Sequence, residues 1–305
     1  MIGATLSDLG LLVPELILVG MASMLVLAAR RIQRAPVAVV GTVLAALAAT
    51  LVAGWDLSGG ARTGFGGMIT LDGYSQFFKV LIGVTLALAA LLSVRSIDRD
   101  QVPRAEYHVL LLLASTGMML AVSALDLLVV YLGLELMTIC SYILVGIRVE
   151  RPTSNEAATK YFLLSSFASA LLLYGISLTY GVTGSTDFSA IAWALSEQDT
   201  GSNPLLLAAI GLVAAGLAFK VSAVPFHAWV PDTYQGASAP VAAFLAAGSK
   251  AAGLAVLGRV CLVAFGAEAH VLSVFLAGLA ALSIVVGSFI ALSQTDMKRL
   301  LAYSS

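Results

Sequence analysis

The stretch GLAFKVSAVPFHAWVPDTYQG, residues 216–236, decides how the chain is built. It opens as the end of an apolar helix, carries Lys220 inside that helix, and then runs into Pro225, His227, Trp229 and Pro231. A proline has no N–H and clashes with the carbonyl four residues back, so Pro225 and Pro231 predict a helix broken beside Val221 and His227. A broken apolar helix with a charge at the break is the ion-holding geometry of secondary transporters.

The surrounding chain supports a membrane setting. Hydrophobic residues make up 60% of the 305 residues and charged residues 11%. Soluble domains have about 45–50% and about 25%. With a mean hydropathy of +0.99, the chain reads as an integral membrane protein. A net charge of -1 leaves no basic surface for nucleic acid. The first charges are Asp8 and Glu15, so no basic n-region announces a cleaved signal peptide. Cys140 and Cys261 sit in apolar runs without metal spacing and read as small buried side chains.

A membrane helix needs about 20 mostly apolar residues. That rule gives nine spans, at 9–29, 37–54, 74–94, 107–124, 126–147, 156–180, 204–223, 239–261 and 271–293. QTDMKRLLAYSS (294–305) then opens the register of a tenth. The fold class is therefore all-α, a polytopic bundle with span 7 broken at Pro225/Pro231. The long apolar runs exclude a β-barrel, whose strands are short and alternate. Three segments follow: three spans over 1–106, a five-span module over 107–261, and the start of a second repeat over 262–305. The stretches WDLSGGARTGFGG (55–67) and GSTDFSAIAWALSEQDTGSNP (184–204) read as exterior turns.

Lysine and arginine orient the bundle. Arg30, Arg31, Arg34, Arg95, Arg99, Arg104, Arg148, Arg151, Lys298 and Arg299 fall on one side, Arg62 and Arg259 on the other. Ten against two predicts a cytoplasmic face at the first set and an exterior N-terminus.

Three charges stand in the wrong solvent. Glu135 is central in VVYLGLELMTICSYILVG (129–146), Lys250 in APVAAFLAAGSKAAGLAVLGRV (239–260), and Lys220 adjoins the break. A charge at the bilayer centre costs about 2.5–3.5 kcal/mol on the insertion scale, so these side chains face protein, water or each other. They form either a buried structural ion pair or an ion path. Proton chemistry suits the second reading: desolvation favours the neutral forms of carboxyl and amine, pairing favours the charged forms, and a pair that separates releases a proton. His227 either exchanges protons near neutral pH or belongs to an aromatic interfacial turn with Phe226 and Trp229. Ser165, Ser166 and Ser169 on span 6 permit close helix approach or host water. Lys160 either snorkels, with Glu156 as its i−4 partner, or joins the path. Lys79 reads as a snorkelling anchor, Glu15 as a residue near the outer interface, and His108 and His270 as interfacial residues at span ends.

These residues also carry a resemblance. VPFHAWVPDTYQGASAPVAAFLAAGSKAAGLAVLGR (224–259), LLVPELILVG (11–20), EAATKYFLLSSFASALLLYGISLTYGVTGS (156–185) and DMKRLLAYSS (296–305) resemble the antiporter-like membrane subunits of respiratory complex I, the NADH:quinone oxidoreductase. Lys250 and DTYQG are most similar to the N-type branch, rather than the L and M paralogues or the Mrp-type cation/proton antiporter subunits. The resemblance implies a proton-translocating subunit of a bacterial inner membrane, partnered by other membrane subunits of the complex. It implies no redox cofactor in this chain, with FMN, iron–sulfur clusters and quinone in partner subunits. It casts Glu135 and Lys220 as a pair, Lys160 as a companion, Lys250 as the central relay. The family usually has Pro-Thr-Pro where this chain has Ser238-Ala239-Pro240, so a more flexible turn is expected there. The family also carries a second inverted half, with its own broken helix and exit lysine, of which this sequence holds only the start. An Mrp-type or stand-alone antiporter and a truncated structural module are the competing readings.

Overall fold

The computed structural model describes residues 6–29, 35–197 and 203–305. Among them, nine helices are long and apolar enough to cross a membrane: Gly10–Ala28, Val37–Ser58, Gly73–Arg99, Arg104–Ser123, Leu127–Val145, Pro152–Thr183, Pro204–Val221, Ala239–Ala264 and Leu272–Leu292, spans 1 to 9. A short helix, Met297–Ser304, opens where a tenth span was expected. Arg30, Arg31 and Arg34 lie outside the described residues, as does part of the 184–204 stretch.

Span 4 is the axis of the bundle, with 72% of its residues buried against 11% in span 9. Its backbone touches span 5: a Cβ on Gly117 would lie 2.6 Å from the Gly133 carbonyl, and one on Gly133 would lie 2.8 Å from the Ala121 nitrogen. Spans 6 and 7 meet the same way, through Gly175 against Val213 and Gly216 against Leu172. Small residues permit these approaches because packing, rather than hydrophobic burial, holds helices together in lipid. The two contacts position the helices that carry Glu135 and Lys220.

Both exterior stretches hold more structure than turns. Arg62–Gly64 pairs antiparallel with Ile69–Leu71. Phe188–Ser196 is a helix capped by Asp187, whose carboxylate accepts from the Ala190 N–H. It buries Phe188, Ile191 and Leu195, a helical spacing hidden among polar neighbours.

Several charged or polar side chains depart from expectation. Lys79 does not snorkel: it is 0% exposed, with Nζ 2.7 Å from Glu15 Oε1, and Glu15 is itself buried. Span 1 packs against spans 2 and 4, and the Lys79 side chain reaches across the interior to Glu15 rather than out to a headgroup. His108 is not interfacial either. It is buried edge-on to Tyr107, with no hydrogen bond on either ring nitrogen, because span 4 is enclosed along its length. Arg259 lies within span 8, as the 239–261 run has it, and turns inward: its Nη1 and Nη2 donate to both oxygens of Asp72 at 2.9 and 2.8 Å. The backbone of His270 continues the helix Ala269–Leu292. Cys140 and Cys261 are free and buried, as the apolar runs predict.

Candidate ion-relay site

Span 7 ends at Val221, where Ser222 turns left-handed at φ 65° and its N–H returns to the Phe219 carbonyl at 3.0 Å. The chain resumes as a helix only at Trp229–Gly236. Pro225, with a cis bond to Val224, is inside the gap. Pro231 sits in the first turn of the second helix, where a missing N–H costs no intrahelical bond. Fewer carbonyls are left free at the break than the prolines suggest. The His227 carbonyl accepts from the Val230 N–H at 3.0 Å, and the Phe219 carbonyl accepts from the Trp229 indole N–H at 3.2 Å. Across the gap, the Ser283 hydroxyl of span 9 accepts the Val224 N–H at 2.9 Å.

Trp229 anchors the break. It is 2% exposed, stacks on Tyr161 of span 6 with centroids 4.5 Å apart and planes at 7°, and lies 5.5 Å from Phe219. Trp229 is therefore interior rather than interfacial, because span 6 supplies a partner ring, while Phe226 and His227 stay partly exposed.

Lys220 occupies the last turn of the first half-helix, where the negative end of the helix dipole favours a cation. It is buried, and its ammonium reaches span 6: Nζ donates to Ser169 Oγ at 3.2 Å and to Ser165 Oγ at 3.4 Å. The Ser169 hydroxyl donates in turn to Glu135 Oε1, and Lys220 Nζ stands 3.5 Å from that same oxygen. The Glu135 side chain keeps 21% of its surface exposed, against 2% for Lys220. Expected partners thus meet, bridged by a hydroxyl. Ser166 is exposed and takes no part in the cluster.

Lys250 and His227 belong to a second locus. Both line a partly open cavity of about 1130 Å³ between the break, span 8, span 9 and the helix Met297–Ser304. Lys250 Nζ donates to the Ser305 hydroxyl at 2.6 Å and stands 6.0 Å from the centre of the Tyr234 ring. His227 lies edge-on to Tyr303 at 6.0 Å, with Nδ1 buried and unbonded. Span 8 reaches Lys250 through a wide π-helical turn, Leu245–Ser249, a distortion common at functional sites and invisible in the sequence. The same span passes close to the first locus, since a Cβ on Gly253 would lie 3.5 Å from the Lys220 carbonyl oxygen.

Lys160 is 46% exposed, away from the Glu135–Lys220 contact. It bonds Glu156 at 2.8 Å and Asp232 at 2.9 Å, and Arg299 bonds Asp232 from the other side at 2.7 Å. Asp232, which the sequence did not single out, thereby ties span 6, the helix after the break and the final helix together. Burial pushes its carboxyl up, but the hydrogen bonds from Lys160 and Arg299 outweigh that and hold it below the usual carboxylate range.

Comparison with known proteins decides the affiliation. The family described as NADH:quinone oxidoreductase/Mrp antiporter, TM, matches residues 124–305. The chain belongs to this family. Relatives in the NADH:quinone oxidoreductase/Mrp antiporter family include NADH-quinone oxidoreductase subunit N of Desulfovibrio desulfuricans, 44% identical over 98% of this chain and 60% of the relative. Subunit N 2 of Rhizobium meliloti is 42% identical over 96% of this chain and 61% of its own length. The chain thus spans about 60% of the curated relatives it matches. Among solved structures, a chain of respiratory complex I from Thermus thermophilus superposes with a TM-score of 0.79 at 36% identity, covering 95% of this chain and 61% of that one. A chain of the Mrp complex from a Dietzia species shares the fold, with a TM-score of 0.78 at 21% identity over 95% of this chain and 55% of that one. Every residue of the candidate relay lies inside the family match.

Proposed function

We propose that this chain is part of a proton-translocating membrane subunit of an NADH:quinone oxidoreductase, moving H+ through Glu135, Lys220 and Lys250 in response to quinone reduction in other subunits. The observation that carries this reading is the hydroxyl-bridged contact of Lys220 with Glu135 at the end of a broken half-helix. Lys220 gives a proton to Ser169 Oγ as the Ser169 hydroxyl proton passes to the Glu135 carboxylate. One ammonium and one carboxylate become one amine and one carboxylic acid, with Ser169 regenerated. Burial lowers the penalty for that neutral state, because a dry environment disfavours both charges. The partly exposed Glu135 then releases that proton to water, and Lys220 takes its next proton from the side of the cavity shared by His227 and Lys250, the preceding locus of the relay. The names of the relatives support the assignment to a quinone-reducing complex, whose other membrane subunits are the partners.

The end bearing Arg99, Arg148, Arg151, Lys298 and Arg299 faces the cytoplasm of a bacterium across its inner membrane, with the N-terminus outside, following the excess of Lys and Arg on that side. Redox cofactors reside in partner subunits. In the assembled complex, Lys220→Ala and Glu135→Ala are each expected to abolish most NADH-driven proton pumping in vesicles while the subunit still inserts. Normal pumping in both correctly assembled variants overturns the relay. A sodium-dependent proton flux without NADH moves the chain to stand-alone cation/proton antiport instead.

A further inference from the structure

At the end of the bundle that carries most of the arginines lies an open groove of about 1040 Å³, between the linker of spans 3 and 4 and the facing ends of spans 5 and 6. Its polar rim holds Arg99, Arg148 and Arg151. All three converge on a single carboxylate: Asp100 accepts from Arg99 Nε at 3.2 Å, Arg148 Nη1 at 3.4 Å and Arg151 Nη2 at 2.9 Å. Asp100 is 1% exposed, while the side chains of Arg99 and Arg151 remain 71% and 52% exposed. Glu150 adds one further negative charge to the rim, and Lys298 lies within Coulombic reach of Arg99 and Arg148. Three cations against two anions leave the rim with one net positive charge. Arg148 also keeps its buried Nε without an acceptor, although its Nη2 donates to the Gly236 carbonyl.

The groove wall is apolar. Ile143 is 51% exposed, Phe162 50% and Val149 69%, and Tyr142 lies alongside. Tyr142 and Ile143 lie in the last turn of span 5, Val149 in the linker after it, and Phe162 eleven residues into span 6, so the wall runs from the linker into the membrane-spanning part of the bundle. A free inorganic anion has no use for such a wall, and an apolar peptide has none for the rim. Phosphate at a guanidinium fan above an acyl chain satisfies both, because arginine pairs bidentately with phosphate and basic pockets between spans recognise anionic headgroups.

We propose that this groove binds an anionic phospholipid, with its phosphate at Arg99, Arg148 and Arg151 and an acyl chain along Ile143 and Phe162. The proposal rests on the membrane placement of the chain and not on proton transport. It is tested on the assembled complex in nanodiscs, labelled in parallel with diazirine-bearing phosphatidylglycerol and phosphatidylcholine, with crosslinked peptides mapped by mass spectrometry. Phosphatidylglycerol is expected to label the peptides around 99–103 and 142–162 preferentially, and unlabelled phosphatidylglycerol to compete where excess inorganic phosphate does not. Arg99→Gln and Arg151→Gln, both at exposed positions, are expected to lower that labelling by about fivefold each, while Arg151→Lys retains it. Equal labelling by the two lipids, unchanged labelling in Arg99→Gln, or competition by inorganic phosphate overturns the proposal. So does a photoreactive residue at position 149 that captures another protein subunit in place of lipid.

Discussion

Among the described residues, two Glu–Lys pairs lie within the bundle, and they are built differently. Glu15 and Lys79, in spans 1 and 3, meet directly at 2.7 Å with side chains 6% and 0% exposed, between continuous helices. Glu135 and Lys220, in spans 5 and 7, stand 3.5 Å apart with Ser169 between them, and the helix under Lys220 ends one residue later. The first pair lies outside the family match, the second inside it. A direct pair sealed in packed helices has one arrangement. A hydroxyl-bridged pair, with a partly exposed carboxylate and a helix end beneath the lysine, has several. In the proposed relay, the same two residue types serve as a staple in one place and as a valve in the other.

The largest expected effect tests the staple. Lys79→Ala strands Glu15 and should destabilise by about 3–5 kcal/mol, read as loss of assembled subunit on a membrane blot. Replacing both partners, Glu15→Leu with Lys79→Met, should restore assembly and leave NADH-driven pumping unchanged. Lost pumping in that assembled double variant makes both pairs valves and ends the contrast.

Next comes the valve itself. Lys220→Met should lower proton flux on the order of 10²-fold, as for removal of a general acid, with a smaller loss of thermal stability than Lys79→Ala because Glu135 retains Ser169 and partial exposure. Ser169→Ala should lower flux about fivefold, matching one lost hydrogen bond of about 1 kcal/mol, and Ser169→Thr should preserve it. Equal flux in Ser169→Ala shows that the proton crosses from Lys220 to Glu135 directly.

The smallest effect concerns Asp232. Its bonds to Lys160 and Arg299 are partly exposed, so Asp232→Asn should cost under about 1 kcal/mol. Because its folded carboxyl is held below the usual range, its contribution is complete at and above that range. It is lost as pH falls through the depressed folded value. Thermal melts of the wild type should therefore show an acid-side decline that Asp232→Asn lacks in part.

Much of this molecule was legible in the sequence. Each span is a long apolar run, the break is announced by Pro225, and Glu135, Lys220 and Lys250 stand out because lipid penalises charge. What failed to show was which side chains face one another. Lys79 and Arg259 lie near span ends, where sequence reasoning sends cations outward, yet Glu15 and Asp72 draw them inward. Trp229 has the composition of an interfacial residue but stacks on Tyr161 in the core. Asp232 looks like a helix-start acid and becomes the bridge between Lys160 and Arg299.

The sequence by itself determined the membrane setting, the number of spans, the place of the break and the unusual charges, because each follows from the local cost of putting a residue or a peptide group into hydrocarbon. Only the tertiary structure decided that Ser169 stands between Lys220 and Glu135, that Lys250 shares a cavity with His227, and that Glu15 seals Lys79. Those pairings depend on which helix faces meet, and helix faces meet where glycines such as Gly133 and Gly216 let backbones touch, a condition on several distant segments at once.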